Sequence, residues 1–187
     1  MDPKNYDRLI EIYEALAAHG YREVGQEYLQ NVLDTAKQLD AYDSGRIYYY
    51  LGEYQKAYLA LDEARDKGGA DSYLYLGRAY AATGDYNYAS SVYNNYLSKQ
   101  GPNAEIYNEL GLCEMAKKEY QNALAAFQAG KQIEGNSLMQ TLCFNEIVAY
   151  EYLEDYQQAE ILMNAYLQNY PDDQTACLLY TSDAADD

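Results

Sequence analysis

Apolar positions recur along this chain at helical spacing, and the pattern restarts every 32 to 36 residues. Residues 70–102, ADSYLYLGRAYAATGDYNYASSVYNNYLSKQGP, carry it most cleanly. Tyr73, Leu76, Gly77 and Tyr80 fall on one face of a first helix, and Ala89 and Tyr93 on the facing side of a second. Gly84-Asp85 supplies a turn between them. The stretch therefore predicts a helical hairpin, and the rest of the chain repeats it.

The clearest marker of the repeat is Tyr-x-x-Ala, at Tyr54/Ala57, Tyr86/Ala89, Tyr120/Ala123 and Tyr156/Ala159. Twelve residues before each alanine stand Gly45, Gly77, Gly111 and, as an exception, Ile147. Four residues after each stand the large Leu61, Tyr93, Phe127 and Met163. Small residues let two helix axes approach, and large ones fill the gaps beside them. Gly77 costs about 1 kcal/mol of helix propensity against alanine, which close packing can offset.

This pattern resembles the tetratricopeptide repeat, a helix–turn–helix of about 34 residues with small residues at two fixed places. The resemblance covers about residues 5–173 and is strongest from the second unit on. It implies an all-α fold: a right-handed superhelix, or α-solenoid, of about five units and ten helices. The units run over about 5–37, 38–69, 70–103, 104–139 and 140–173. The first is the least regular, with Leu9, Ile12, Tyr13 and Leu16 on one helix, a break at His19-Gly20, and Val24, Tyr28, Val32 and Leu33 on the next. The second helix of the second unit is expected to stop at Lys67-Gly68-Gly69. The fourth unit has a longer exit around Glu134-Gly135-Asn136.

Neither end reads as a natural end. Met1-Asp2-Pro3-Lys4-Asn5 resembles a link between repeats, which leaves open whether Met1 is the true start or an internal methionine. In the second case an upstream segment could carry a signal peptide or lipid anchor. Cys177 to Asp187, CLLYTSDAADD, matches a reading frame of a common sequencing adapter and is set aside as a non-native tail. A further unit then begins at 174–176. With its cap missing, the second helix of the fifth unit should expose Ile161, Tyr166 and Leu167 and leave a weak C-terminal end.

Composition narrows the chemistry. The chain has 187 residues, 49% hydrophobic, with 25 tyrosines and no tryptophan. Its formal net charge of −17 argues against non-specific nucleic-acid binding and against docking on anionic lipid. No apolar run reaches the roughly 20 residues of a membrane span, so no direct membrane insertion is expected. Cys113, Cys143 and Cys177 are scattered without metal spacing, and Cys113 and Cys143 read as small buried thiols. His19 is the only histidine. Phosphate loops and nucleophile–base constellations do not occur, and the carboxylates spread over helix surfaces at no informative spacing. No enzyme, cofactor or metal is expected.

Candidate binding residues follow from the repeat. Arg46 and Arg78 each follow the glycine of their unit, and the family's geometry turns that place toward the groove. Tyr42, Tyr49 and Tyr50 would line the same side in the second unit, with Leu74 and Asn108 following in the next two. Two arginines can grip a carboxylate or backbone carbonyl of an extended peptide while tyrosines pack its side chains. The competing reading pairs both arginines with acids such as Asp71 or Glu105. The lysine/asparagine/arginine clamp by which some relatives hold a chaperone's C-terminal carboxylate is not matched. The resulting expectation is a protein-interaction scaffold for a protein or peptide partner. The alternative is a repeat portion of a larger cell-surface lipoprotein, or of a regulator with a separate effector domain. The compartment is cytoplasmic by default, or the cell surface if an upstream signal segment exists.

Overall fold

The pairing of a small residue with a large one, repeated hairpin by hairpin, sets the architecture. The computed structural model describes residues 6–36, 39–173 and 176. Among them are ten α-helices and no strand: α1 (Tyr6–Ala18), α2 (Arg22–Thr35), α3 (Ala41–Tyr50), α4 (Tyr54–Glu63), α5 (Ala70–Ala82), α6 (Tyr86–Gln100), α7 (Ala104–Ala116), α8 (Tyr120–Lys131), α9 (Met139–Tyr152) and α10 (Tyr156–Asn169). The fold is the expected all-α helical repeat. It divides into two compact units, residues 1–92 and 93–187, with the division inside α6. In the first unit α1 packs on α2, α3 on α4, and α4 on α5. In the second, α7 packs on α8, α8 on α9, and α9 on α10.

The repeat alanines Ala57, Ala89, Ala123 and Ala159 are all wholly buried. Gly45 lies so close to Leu61 that a Cβ there would meet Leu61 Cγ at 2.5 Å. A Cβ on Gly111 would meet Phe127 Cε1 at 2.3 Å. At either site a methyl group would force the facing side chain to shift, so glycine is the residue that fits the packing as it stands. Where Ile147 replaces the glycine it is itself core, packed with Ala159, Tyr166 and Met163.

The first hairpin obeys the same rule with the sizes exchanged. Tyr13 stands where later hairpins have glycine, and Gly25 where they have alanine. A Cβ on Gly25 would lie 2.8 Å from the Tyr13 ring. The α2 stripe is accordingly Gly25, Leu29, Val32 and Leu33: the expected Val32 and Leu33 pack on the core, Gly25 and Leu29 are its buried residues, and the expected Val24 is 54% exposed. Tyr13, Leu29 and Ile47 form the buried core here.

Turns also recur in register. The second residue before each second helix's opening position has positive φ: Gly20, Gly52 and Gly84, then Lys118 (φ 64) and Glu154 (φ 60). A left-handed residue with a Cβ costs roughly 1–2 kcal/mol, which glycine avoids. The two later hairpins carry that strain.

Two expectations about ends are corrected. Helix α4 stops at Glu63, not at Lys67-Gly68-Gly69. The intervening residues turn so that the Gly68 amide donates to Ser72 Oγ (2.8 Å), and Tyr73 Oη donates to Asp66 Oδ1 (3.1 Å). Tyr166, expected to be exposed, is 4% exposed. It packs on Phe144 and Tyr170, and its hydroxyl donates to Asp173 Oδ2 at 2.6 Å. Leu167 is half-buried, while Ile161 is exposed as expected. Ala176 joins this cluster, its amide donating to Asp173 Oδ1 (3.1 Å). The proposed adapter tail, 177–187, lies outside the described residues.

Two single changes test these readings. Gly111→Ala should destabilise the protein by about 1–3 kcal/mol through overpacking against Phe127. Lys118→Gly should stabilise it by about 1 kcal/mol by relieving the left-handed turn. Urea unfolding followed by circular dichroism measures both, and a stability gain for Gly111→Ala would contradict the packing rule.

Candidate functional site

The best-defined polar and aromatic constellation lies in residues 6–92, where the first helices of three hairpins, α1, α3 and α5, are tied together. Helix α3 starts cleanly because Asp40 caps it, its side chain accepting from the Asp43 amide at 2.9 Å. That start sets Tyr42, Asp43 and Arg46 one turn apart on the same helix. Arg46 is 6% exposed. Its Nη1 donates to Asp7 Oδ1 on α1 (2.6 Å), and its Nη2 to Asp43 Oδ1 (2.5 Å). The guanidinium carbon sits 4.2 Å from the Tyr42 ring centroid. Burial alone would lower the Arg46 pKa, but hydrogen bonds to Asp7 and Asp43 outweigh it and hold the group above its ordinary value.

One turn on, Tyr50 crosses both neighbours. Its hydroxyl meets Glu14 Oε1 on α1 at 2.5 Å and the Tyr75 hydroxyl on α5 at 2.9 Å. Tyr13 Oη donates to the Tyr50 carbonyl (3.3 Å). Tyr49, Tyr50 and Tyr75 meet pairwise at tilted or edge-on angles, with centroids 5.4–5.8 Å apart. Burial pushes the Tyr42 phenol up to about 12, with Arg46 pulling the other way. Burial also raises Tyr50, with its contacts to Glu14 and Tyr75 adding to the effect, and raises Tyr75.

Of the residues anticipated from sequence, Tyr42, Arg46, Tyr49 and Tyr50 are thus together on α3, the tyrosines half-exposed and Arg46 buried in ion pairs. Arg46 pairs with acids as the competing reading held, namely Asp7 on α1 and Asp43 on its own helix. Arg78 is half-buried on α5. Leu74, also on α5, is only 2% exposed, which makes it a packing residue. Asn108 lies in the second unit on α7, 8% exposed, and its Oδ1 accepts from Asn145 Nδ2 at 2.9 Å. The sequence reading missed Asp7, Glu14 and Tyr75. The repeat held a signal for two of them: Glu14 occupies the place of Arg46 one unit earlier, and Tyr75 the place of Asp43 one unit later.

Elsewhere, Cys113 is buried and Cys143 half-buried, both as free thiols, and burial pushes the Cys113 thiol up to about 12. His19 sits at an exposed turn with Nδ1 2.8 Å from the Ala15 carbonyl. Among the described residues no group of three or more His, Cys, Asp or Glu is placed to hold a metal ion. No helix there is long and apolar enough to cross a membrane.

Comparison with known proteins matches this architecture. The tetratricopeptide repeat family profile matches residues 42–89 and 76–136, together just over half of the chain. The chain belongs to the tetratricopeptide repeat family. Stacked repeats of this kind present extended binding surfaces, as an interaction scaffold does. Among solved structures it is similar to TTC0263, a thermophilic TPR protein of Thermus thermophilus, at 18% identity and TM-score 0.71, covering 95% of this chain and 97% of that one. It is similar to MamA, residue 41 to the end, from Desulfovibrio magneticus RS-1, at 16% identity and TM-score 0.65, covering 93% and 98%. It is also similar to YrrB, described as a TPR protein with an unusual peptide-binding site, at 16% identity and TM-score 0.65, covering 96% and 99%. At these identities the likeness is one of fold. No curated protein sequence matches the chain.

The raised phenols give a pH dependence. A phenol whose folded pKa lies above its ordinary 10.0 stabilises the fold fully below pH 10 and loses that contribution as pH rises toward 12. Stability of the tetratricopeptide array should therefore fall above about pH 10, and Tyr42→Phe should soften the fall. Thermal unfolding from pH 8 to 11.5 checks this; an unchanged pH profile in Tyr42→Phe would remove Tyr42 from the account.

Proposed function

We propose that this tetratricopeptide array is a protein-interaction scaffold that binds an extended peptide segment, or a helix, of a partner along the first-helix face. The observation that carries the reading is the α1–α3–α5 constellation. Half-exposed Tyr42, Tyr49 and Tyr50 stand around a buried, doubly paired arginine, with Tyr75 fixing α3 to α5. Aromatic rings held by their neighbours lose little freedom on binding, so their contact area translates well into affinity. YrrB, the relative described with a peptide-binding site, shares the fold.

Arg46 enters this reading in a changed role. Its guanidinium already holds two carboxylates, and the Asp7 side chain is 76% exposed against 7% for that of Arg46. A partner carboxylate or carbonyl therefore reaches Arg46 by displacing Asp7, while Tyr42 and Asp43 hold the guanidinium in place. Arg78 supplies a second cation on the next first helix.

A peptide-array assay comparing the wild type with the double change Arg46→Ala/Arg78→Ala tests the arginines. Loss of bound peptides by roughly tenfold or more in signal is expected, since a charge-assisted hydrogen bond is worth about 1.5–3 kcal/mol. Unchanged binding removes the arginines from the site. The change Tyr49→Ala separately tests the aromatic contribution, and binding unaffected by all three would sink the first-helix face.

A further inference from the structure

The second unit holds an open cleft of about 330 Å³ that belongs to none of the groups described above. It lies where α6, α7 and α8 meet. Its floor is Leu110, Ala126 and Glu114, exposed by 8%, 6% and 6%. Its rim is Asn94 on α6, Asn122 on α8 and Tyr107 on α7. A carboxylate on an otherwise apolar floor is costly unless a cation reaches it. Here Lys117 Nζ donates to Glu114 Oε1 at 2.8 Å, so the chain's own ammonium shows which chemistry this carboxylate accepts. Among the described residues Glu114 Oε2 takes no hydrogen bond.

We propose that this cleft is a second binding site, one that takes a lysine side chain from an extended segment of a partner protein. The cleft supplies each part such a residue needs. Its apolar wall at Leu110 and Ala126 covers the methylene stem, which lysine buries readily while its charge stays polar-bound. Glu114 Oε2 receives the ammonium in a charge-assisted hydrogen bond. Asn94 and Asn122, each carrying a donor and an acceptor, flank the mouth and pair with the peptide backbone on either side of the lysine. Lysine fits better than arginine: with Oε1 held by Lys117 only one oxygen is open, which suits a point donor and not a two-pronged guanidinium. The chain's net charge of −17 draws a basic segment toward the cleft. This site is independent of the first-helix face of residues 6–92.

The test is a titration of the ¹⁵N-labelled full chain, followed by amide shifts, with the peptide acetyl-Ala-Lys-Ala-amide. Norleucine and arginine analogues serve as comparisons. Saturable shifts are expected around Asn94, Tyr107, Asn122 and Ala126, weakened roughly tenfold or more with norleucine and less with arginine. Glu114→Gln, close in shape to the native residue, should lose binding roughly tenfold, whereas Lys117→Gln should tighten it several-fold by freeing Oε1. Equal binding of the lysine and norleucine peptides overturns the proposal in the wild-type protein alone, even if a variant fails to fold. So does lysine binding that Glu114→Gln leaves intact, or the absence of any saturable shift.

Discussion

The second and fourth hairpins each depend on one close approach. The first helix comes so near the second at Gly45 and Gly111 that Leu61 and Phe127 occupy the space a methyl would need. Everything else follows from holding two axes at that distance. Alanines at the facing place are wholly buried, the turn must reverse within a few residues, and a left-handed residue recurs at the reversal. The first hairpin shows that the constraint is on summed volume and not on residue identity. Tyr13 opposite Gly25 fills the same gap from the other side.

That distinction explains what the sequence made legible. A repeat of Tyr-x-x-Ala with glycine twelve residues earlier is a local pattern, and it led directly to the family and the ten helices. The exchange of sizes in the first hairpin is hidden because the marker there reads Arg22-x-x-Gly25, and helical periodicity alone favours Val24 over Gly25. Subtracting one period from Tyr54 and Ala57 would have revealed it. The burial of Tyr166 escapes the repeat pattern for a different reason. Its burial comes from Phe144, Tyr170 and Asp173, and a chain-wide period does not report contacts that a single turn after α10 creates.

The candidate site was legible to the same limited degree. Repeat register placed Tyr42, Arg46, Tyr49 and Tyr50 on one helix, because register fixes which face a residue occupies. It does not say how deep a side chain sits or which charge reaches it. Arg46 is buried and its guanidinium is held by Asp7, 39 residues earlier on α1, a partner that repeat register does not point to. Leu74 is in the same register as Tyr42 yet is core, since a leucine has no polar tip to keep at the surface.

The tyrosine content of the chain follows from this last difference. A repeat junction has to bury area and also fix the register of one hairpin on the next, and apolar contact is non-directional. Tyrosine does both, since its ring packs while its hydroxyl selects a partner. Tyr50 ties α3 to Glu14 on α1 and to Tyr75 on α5, Tyr13 reaches the Tyr50 carbonyl, and Tyr73 and Tyr166 reach Asp66 and Asp173. Three of these ties end on carboxylates, which a phenol stabilises by donating a hydrogen bond without changing their charge. An acidic chain of this kind can therefore lock its hairpins together while keeping its negative net charge.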